Sequence, residues 1–129
     1  METPVKVLIV DDQPVIRGSL RLRLTPLGCA VEEAENAAQG LELFERLRPK
    51  LVTLDVIMPT IGGYTSLDLM HDIRRIDPET NVVVISSKLD DREAFLNAGA
   101  IEFVAKPFDN FRSLARKLEP LIQSLSLAQ

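Results

Sequence analysis

The sequence has one cysteine, one histidine, no surplus of basic residues and no long apolar run. Each scarcity closes a class of function. A single cysteine, Cys29, cannot form an internal disulfide or a cysteine metal cluster, and its plain reading is a small buried apolar side chain. The one histidine, His71, stands beside Asp72 in a helical stretch and reads as a solvent-facing polar residue rather than a phosphotransfer histidine. Lys and Arg number 15 against 19 Asp and Glu, giving a net charge of -4. That balance argues against a direct nucleic-acid surface, which needs a basic patch. The apolar runs fall well short of a membrane span. Met1 to Lys6 is followed by only four apolar residues before Asp11, which is not a secretory leader. The expectation is a cytoplasmic chain without membrane insertion. Neither Gly-x-x-x-x-Gly-Lys nor Gly-x-Gly-x-x-Gly occurs, which removes P-loop and dinucleotide-binding proteins.

What the sequence does have is core material and regular punctuation. The 129 residues are 46% hydrophobic, enough for one domain over 1–129; a domain of that size buries roughly two thirds of the surface its unfolded chain exposes. Pro14, Pro26, Pro49, Pro59, Pro78 and Pro107 fall at element boundaries, where a missing N–H does least harm. Between them apolar runs alternate with helical spacing. Strands are expected at 5–10, 30–34, 51–54, 82–85 and 102–105. Helices are expected at 13–24, with Ile16, Leu20 and Leu24 inward and Arg17 and Arg21 on another, solvated face; after an Asn36 cap, with Ala37, Leu41, Phe44 and Leu47 on one stripe; at 66–76, with Met70 and Ile73 inward; and at 91–98, stopped by Gly99. A last helix is expected after an Asp109 cap, carrying Phe111, Leu114 and Leu118. Pro120 is expected to end or kink it, with fraying toward Gln129. The unbroken β-branched run at 82–85 suits a strand covered on both faces. Five strands alternating with five helices imply an α/β, doubly wound parallel sheet. Ligands of such sheets sit beyond the carboxyl ends of the strands.

Those strand ends carry the chemistry. The first ends in Asp11-Asp12, the third in Asp55, the fourth in Ser86-Ser87 and the fifth in Lys106-Pro107. Carboxylates ~4 Å apart repel by on the order of 4 kcal/mol per pair at an effective dielectric of 20. A hard divalent cation offsets that repulsion, and Mg²⁺ suits a few carboxylates, waters and a phosphate oxygen. Lys106 adds positive charge. Asp55 could then act as a covalent nucleophile toward a phosphoryl group, with charge on the transferring oxygens neutralised by the metal and Lys106. The Ser86 hydroxyl could hydrogen-bond a phosphate oxygen.

Five segments together resemble a response-regulator receiver domain of two-component signalling: Val-Asp-Asp at 10–12, Leu-Asp-Val-Ile-Met-Pro at 54–59, Ile-Ser-Ser at 85–87, Ala-Gly-Ala at 98–100 and Phe-Val-Ala-Lys-Pro-Phe at 103–108. The resemblance implies the flavodoxin-like, CheY-like strand order 2-1-3-4-5. It implies that Asp55 is the phosphoacceptor and that Asp11, Asp12, Asp55 and the main-chain carbonyl of Ile57 hold Mg²⁺, with Asp12 the more direct ligand of the acidic pair. It gives Lys106 and Ser86 catalytic roles, makes Ser86 and Phe103 the switch pair, and implies a cis Lys106-Pro107 peptide. A buried strand phenylalanine is the plain alternative for Phe103. The donor would be a phosphohistidine on a histidine kinase or phosphotransfer protein. The output partner would bind the face of the fourth helix, fifth strand and fifth helix, with dimerisation on phosphorylation among the outcomes the family allows. The chain would catalyse only its own phosphorylation and dephosphorylation. Ile57 and Lys88, which flank the attacking water in the family pattern, offer no carboxylate or amide to orient it, so autodephosphorylation is expected not to be fast. Gly62 and Ser87 depart from the family's usual acidic residue and alanine.

Two other readings stand beside this one. A Mg²⁺-dependent phosphohydrolase with an aspartate nucleophile needs a second acid two residues on, and that position is Ile57. The chain could instead be the receiver portion of a longer regulator with a DNA-binding or enzymatic output domain. A stand-alone, chemotaxis-type receiver is the simplest expectation. Arg17, Arg21 and Arg23, with Arg92, Arg112 and Arg116 on the output side, could dock acidic partners, although a solvated helix face is the plainer reading.

Overall fold

The computed structural model describes residues 3–106 and 111–127. Five strands form one parallel sheet in the order β2-β1-β3-β4-β5. They are β1 (Val5–Val10), β2 (Cys29–Ala34), β3 (Leu51–Asp55), β4 (Asn81–Ser86) and β5 (Glu102–Ala105). The helices are α1 (Pro14–Leu24), α2 (Ala37–Leu47), α3 (Ser66–Ile76), α4 (Arg92–Asn97) and α5 (Arg112–Leu127), with single 3₁₀ turns at Thr25–Leu27 and Leu89–Asp91. The expected doubly wound α/β fold and its strand order are observed.

The two-residue period of the strands divides the core. On β1, Leu8 and Val10 join Phe44 of α2, Leu69, Met70 and Ile73 of α3 and Phe95 of α4. Val5, Val7 and Ile9 point the other way, onto Ile16, Leu20 and Leu24 of α1 and Leu114, Leu118 and Ile122 of α5. Successive side chains of a strand leave opposite faces, so a sheet wrapped on both sides needs the continuous apolar runs seen here.

Local chemistry explains most element ends. Asn36 caps α2, its side-chain oxygen accepting from the Gln39 amide at 2.8 Å. The α2 stripe differs from expectation: Leu43 is buried with Ala37 and Phe44, while Leu41 and Leu47 are half-buried. Thr65 and Asp68 form a capping box at α3, with bonds of 3.1 and 2.9 Å, each satisfying an otherwise orphaned amide. Helix α1 begins at Pro14, and Gln13 is its extended N-cap. Helix α4 is a short Arg92–Asn97, and the chain leaves it through Gly99 at φ 108.

Pro120 does not end α5, which continues to Leu127. The missing N–H costs a turn one hydrogen bond, but Ile122 is buried beyond it and Leu121 and Leu125 pack on the same core. Tertiary burial therefore outweighs the local break. The expected Asp109 cap lies outside the described residues.

Candidate functional site

Strand register brings the acidic residues together. Val10 lies beside Leu54 in the β1–β3 pairing, so Asp11 comes level with Asp55. Asp55 pairs with Ile85, and Ser86 with Ala105, which puts Lys106 one residue past the end of β5. The Lys106 amide donates to the Ser86 carbonyl at 2.9 Å. All three carboxylates, from Asp11, Asp12 and Asp55, offer oxygens within 4.8 Å of one another. The Lys106 ammonium lies 3.3 Å from Asp11 Oδ2 and 3.3 Å from Asp55 Oδ1.

Asp11 and Asp55 are buried, and Asp12 is half-exposed. Both oxygens of Asp11 are engaged, Oδ1 by the Gln13 amide at 2.9 Å and Oδ2 by Lys106. Burial pushes the Asp55 carboxyl up to about 6; the neighbouring charge of Asp11 pushes the same way, and Lys106 only partly offsets them. The Asp11 carboxyl is also raised, by burial first, against the hydrogen bond from Gln13 and the charge of Lys106. One ammonium is thus too little positive charge for this cleft. A donor set made only of oxygen, with unbalanced negative charge, fits a hard divalent cation.

Two hydrogen-bonded supports were not anticipated. The Ser66 hydroxyl, buried at the start of α3, lies 2.9 Å from the Asp55 carbonyl and 3.0 Å from that of Val56, fixing the loop that leaves β3. Arg17 donates from a terminal guanidinium nitrogen to the Asp11 carbonyl at 2.8 Å and from Nε to Glu33 at 3.1 Å. Its side chain is 15% exposed, so the expected solvated face does not describe it. Arg21 is 45% exposed and also bonds Glu33. For Ser66 the available signal was a small polar residue opening a helix four positions before a core methionine.

Ser86 is buried, and its Oγ accepts from the Lys88 amide at 3.0 Å. Phe103 is half-buried and packs against the core formed by α2, α3 and α4. Ile57 is 52% exposed. The Lys106-Pro107 peptide includes a residue outside the described set. His71 is exposed on α3. Cys29 is buried and its thiol is pushed up to about 11 by burial, which leaves it inert.

A family model for the response regulator receiver domain matches residues 7–119. The chain belongs to this receiver family. Receiver domains are signalling modules, and response regulators work with histidine kinases and output domains. Response regulator MprA of Mycobacterium sp. (strain KMS) is 36% identical over 115 residues, covering 88% of this chain and 49% of that protein. The chain therefore spans about half the length of the curated relatives it matches. A CheY-like receiver from Methanospirillum hungatei superposes with a TM-score of 0.84 at 25% identity, covering 98% of this chain and 99% of that one. Response regulator TrrA of Thermotoga maritima, solved in complex with Mg²⁺-BeF, has a TM-score of 0.77 at 31% identity, covering 90% and 97%. Among the described residues no helix is long and apolar enough to cross a membrane.

Proposed function

We propose that Asp55 accepts a phosphoryl group from a phosphohistidine donor and that the modification switches partner binding. The observation that carries this reading is the Lys106 ammonium held 3.3 Å from both Asp11 and Asp55, beside three clustered carboxylates. An Asp55 oxygen attacks phosphorus, the P–N bond to the donor imidazole breaks, and the imidazole leaves with its electron pair and takes up a proton. Lys106 places positive charge where the phosphoryl oxygens gather it. Asp11, Asp12, Asp55 and the Ile57 carbonyl would hold the cation; the half-exposed Asp12 suits direct ligation better than Asp11, whose oxygens are already bonded. A bound Mg²⁺ would supply further positive charge against the phosphoryl oxygens.

Downstream, Ser86 moves toward the phosphoryl group and Phe103 rotates inward, remodelling the face of α4, β5 and α5 where an output protein, or a second copy, docks. This is a population shift biased by a local change of charge. Neither the apolar Ile57 side chain nor Lys88, 3.9 Å from Asp91, offers a carboxylate or amide to orient an attacking water, so autodephosphorylation is not fast. We take 1–129 as a single receiver domain working in the cytoplasm. The half-length match to the MprA-type relatives favours a second reading, in which it is the receiver portion of a longer regulator.

The test is incubation with a small acyl phosphate, read by intact mass. The expected result is one phosphoryl adduct that requires Mg²⁺ and is absent from Asp55→Asn. An equal adduct on the variant would overturn the proposal.

A further inference from the structure

We propose that Arg17, braced by Glu33, is a positioning residue that fixes the Asp11-Asp12 peptide and thereby sets the divalent-cation affinity of the acidic pair. The inference rests on reading that pair as a cation site.

The Asp11-Asp12 segment leaves β1 between two anchors. The Asp11 amide donates to the Ala34 carbonyl at the end of β2 at 3.0 Å. Its carbonyl is taken by Arg17 at 2.8 Å. A peptide is planar, so holding the Asp11 carbonyl also sets the plane of the Asp12 amide and the place of the Asp12 Cα, from which its side chain departs. Arg17 sits in the first half of α1, one turn beyond the segment it holds. It cannot swing freely, because its Nε is bound to Glu33 at 3.1 Å. Glu33 lies on β2 directly beside Ile9 of β1. Its other oxygen is bound by Arg21 Nε at 2.5 Å. Burial raises the Glu33 carboxyl, but the hydrogen bonds from Arg21 and Arg17 outweigh it and hold the group ionised. The guanidinium fork thus joins the edge strand to the acidic loop. Lysine has a single nitrogen and cannot span both acceptors as the fork does.

Arg17 is a cation beside a cation site, so by charge alone its removal would tighten metal binding. Loss of a residue that orients a ligand weakens it, typically by about 10-fold or more.

The test is Mg²⁺ titration of the full chain by calorimetry, comparing wild type, Arg17→Met, Arg17→Lys and Glu33→Gln, with folding checked by circular dichroism. Hydrogen exchange of the Asp11 amide, which is bonded to the Ala34 carbonyl, gives a readout in metal-free protein that is independent of the metal. Arg17→Met is expected to bind Mg²⁺ about 10-fold more weakly and to exchange the Asp11 amide faster. Arg17→Lys should remain weak. Glu33→Gln keeps an acceptor oxygen and should stay within about 2-fold of wild type. Failure of wild type to bind Mg²⁺ would refute the cation-site reading and this inference with it. Wild-type binding with equal or tighter binding by Arg17→Met, full recovery in Arg17→Lys, or a 10-fold loss in Glu33→Gln would each overturn the positioning role alone.

Discussion

Removing the negative charge of Asp55 should stabilise the metal-free protein. Its carboxyl is raised from 3.8 to about 6 in the folded chain, by burial and by repulsion from Asp11. That difference corresponds to roughly 3 kcal/mol against the charged form of the native state. The acid binds its proton more tightly when folded. Wild type therefore carries the penalty above pH 6, sheds it as the pH falls through about 6, and is free of it below about 4. Asp55→Asn keeps the shape and loses the charge, and it also relieves Asp11. Because Asp11, Asp55 and Lys106 titrate as a coupled group, we expect the variant to be more stable by roughly 1–3 kcal/mol at about pH 7.5 in the presence of chelator. The gap should narrow as the pH falls through about 6 and close only below about 4. Urea denaturation followed by far-ultraviolet circular dichroism measures this at each pH. Saturating Mg²⁺ should reverse the order, since a ligand that binds only the folded state stabilises it by mass action. A variant no more stable than wild type near neutrality, or a gap that widens on acidification, would refute the electrostatic account of the cleft.

Other substitutions probe the supports of the site and sheet. Ser66→Ala removes the hydroxyl that serves the Asp55 and Val56 carbonyls and should cost about 1–2 kcal/mol, with slower phosphoryl acceptance in the intact-mass assay. Thr53 is buried in β3 and its hydroxyl has no partner among the described residues; Thr53→Val should be neutral or stabilising by up to about 1 kcal/mol in urea denaturation. Arg74 holds the carbonyls of Pro78, Thr80 and Gly99 at 2.8, 2.8 and 2.9 Å. A methyl group on Gly99 would come within 2.7 Å of Arg74 Nε at a residue of φ +108, so Gly99→Ala should lower stability by about 2–4 kcal/mol by thermal or urea unfolding.

Much of this arrangement was legible in the sequence, because a parallel sheet makes strand ends informative. Once runs such as Val-Val-Val-Ile at 82–85 are read as strands, Asp11, Asp12, Asp55 and Lys106 must share an edge, and they do. What was missed depends on the third dimension. Arg17 follows the helical spacing of a solvent-facing residue, and only the placement of Glu33 on the neighbouring edge strand draws it inward. Ser66 looks like any first-turn serine until α3 packs it under the Asp55 loop. Pro120 did not end α5, since the burial of Leu118 and Ile122 on either side of it carries the helix onward.

The most direct measurement of the central claim is the position of the phosphoryl group. The phosphorylated chain would be reduced with borohydride, which converts an aspartyl phosphate to homoserine, and then mapped by peptide sequencing. The account predicts conversion at Asp55 alone, dependent on Mg²⁺ during loading. Conversion at Asp11 or Asp12 instead, or a phosphoryl group recovered on His71, would contradict it.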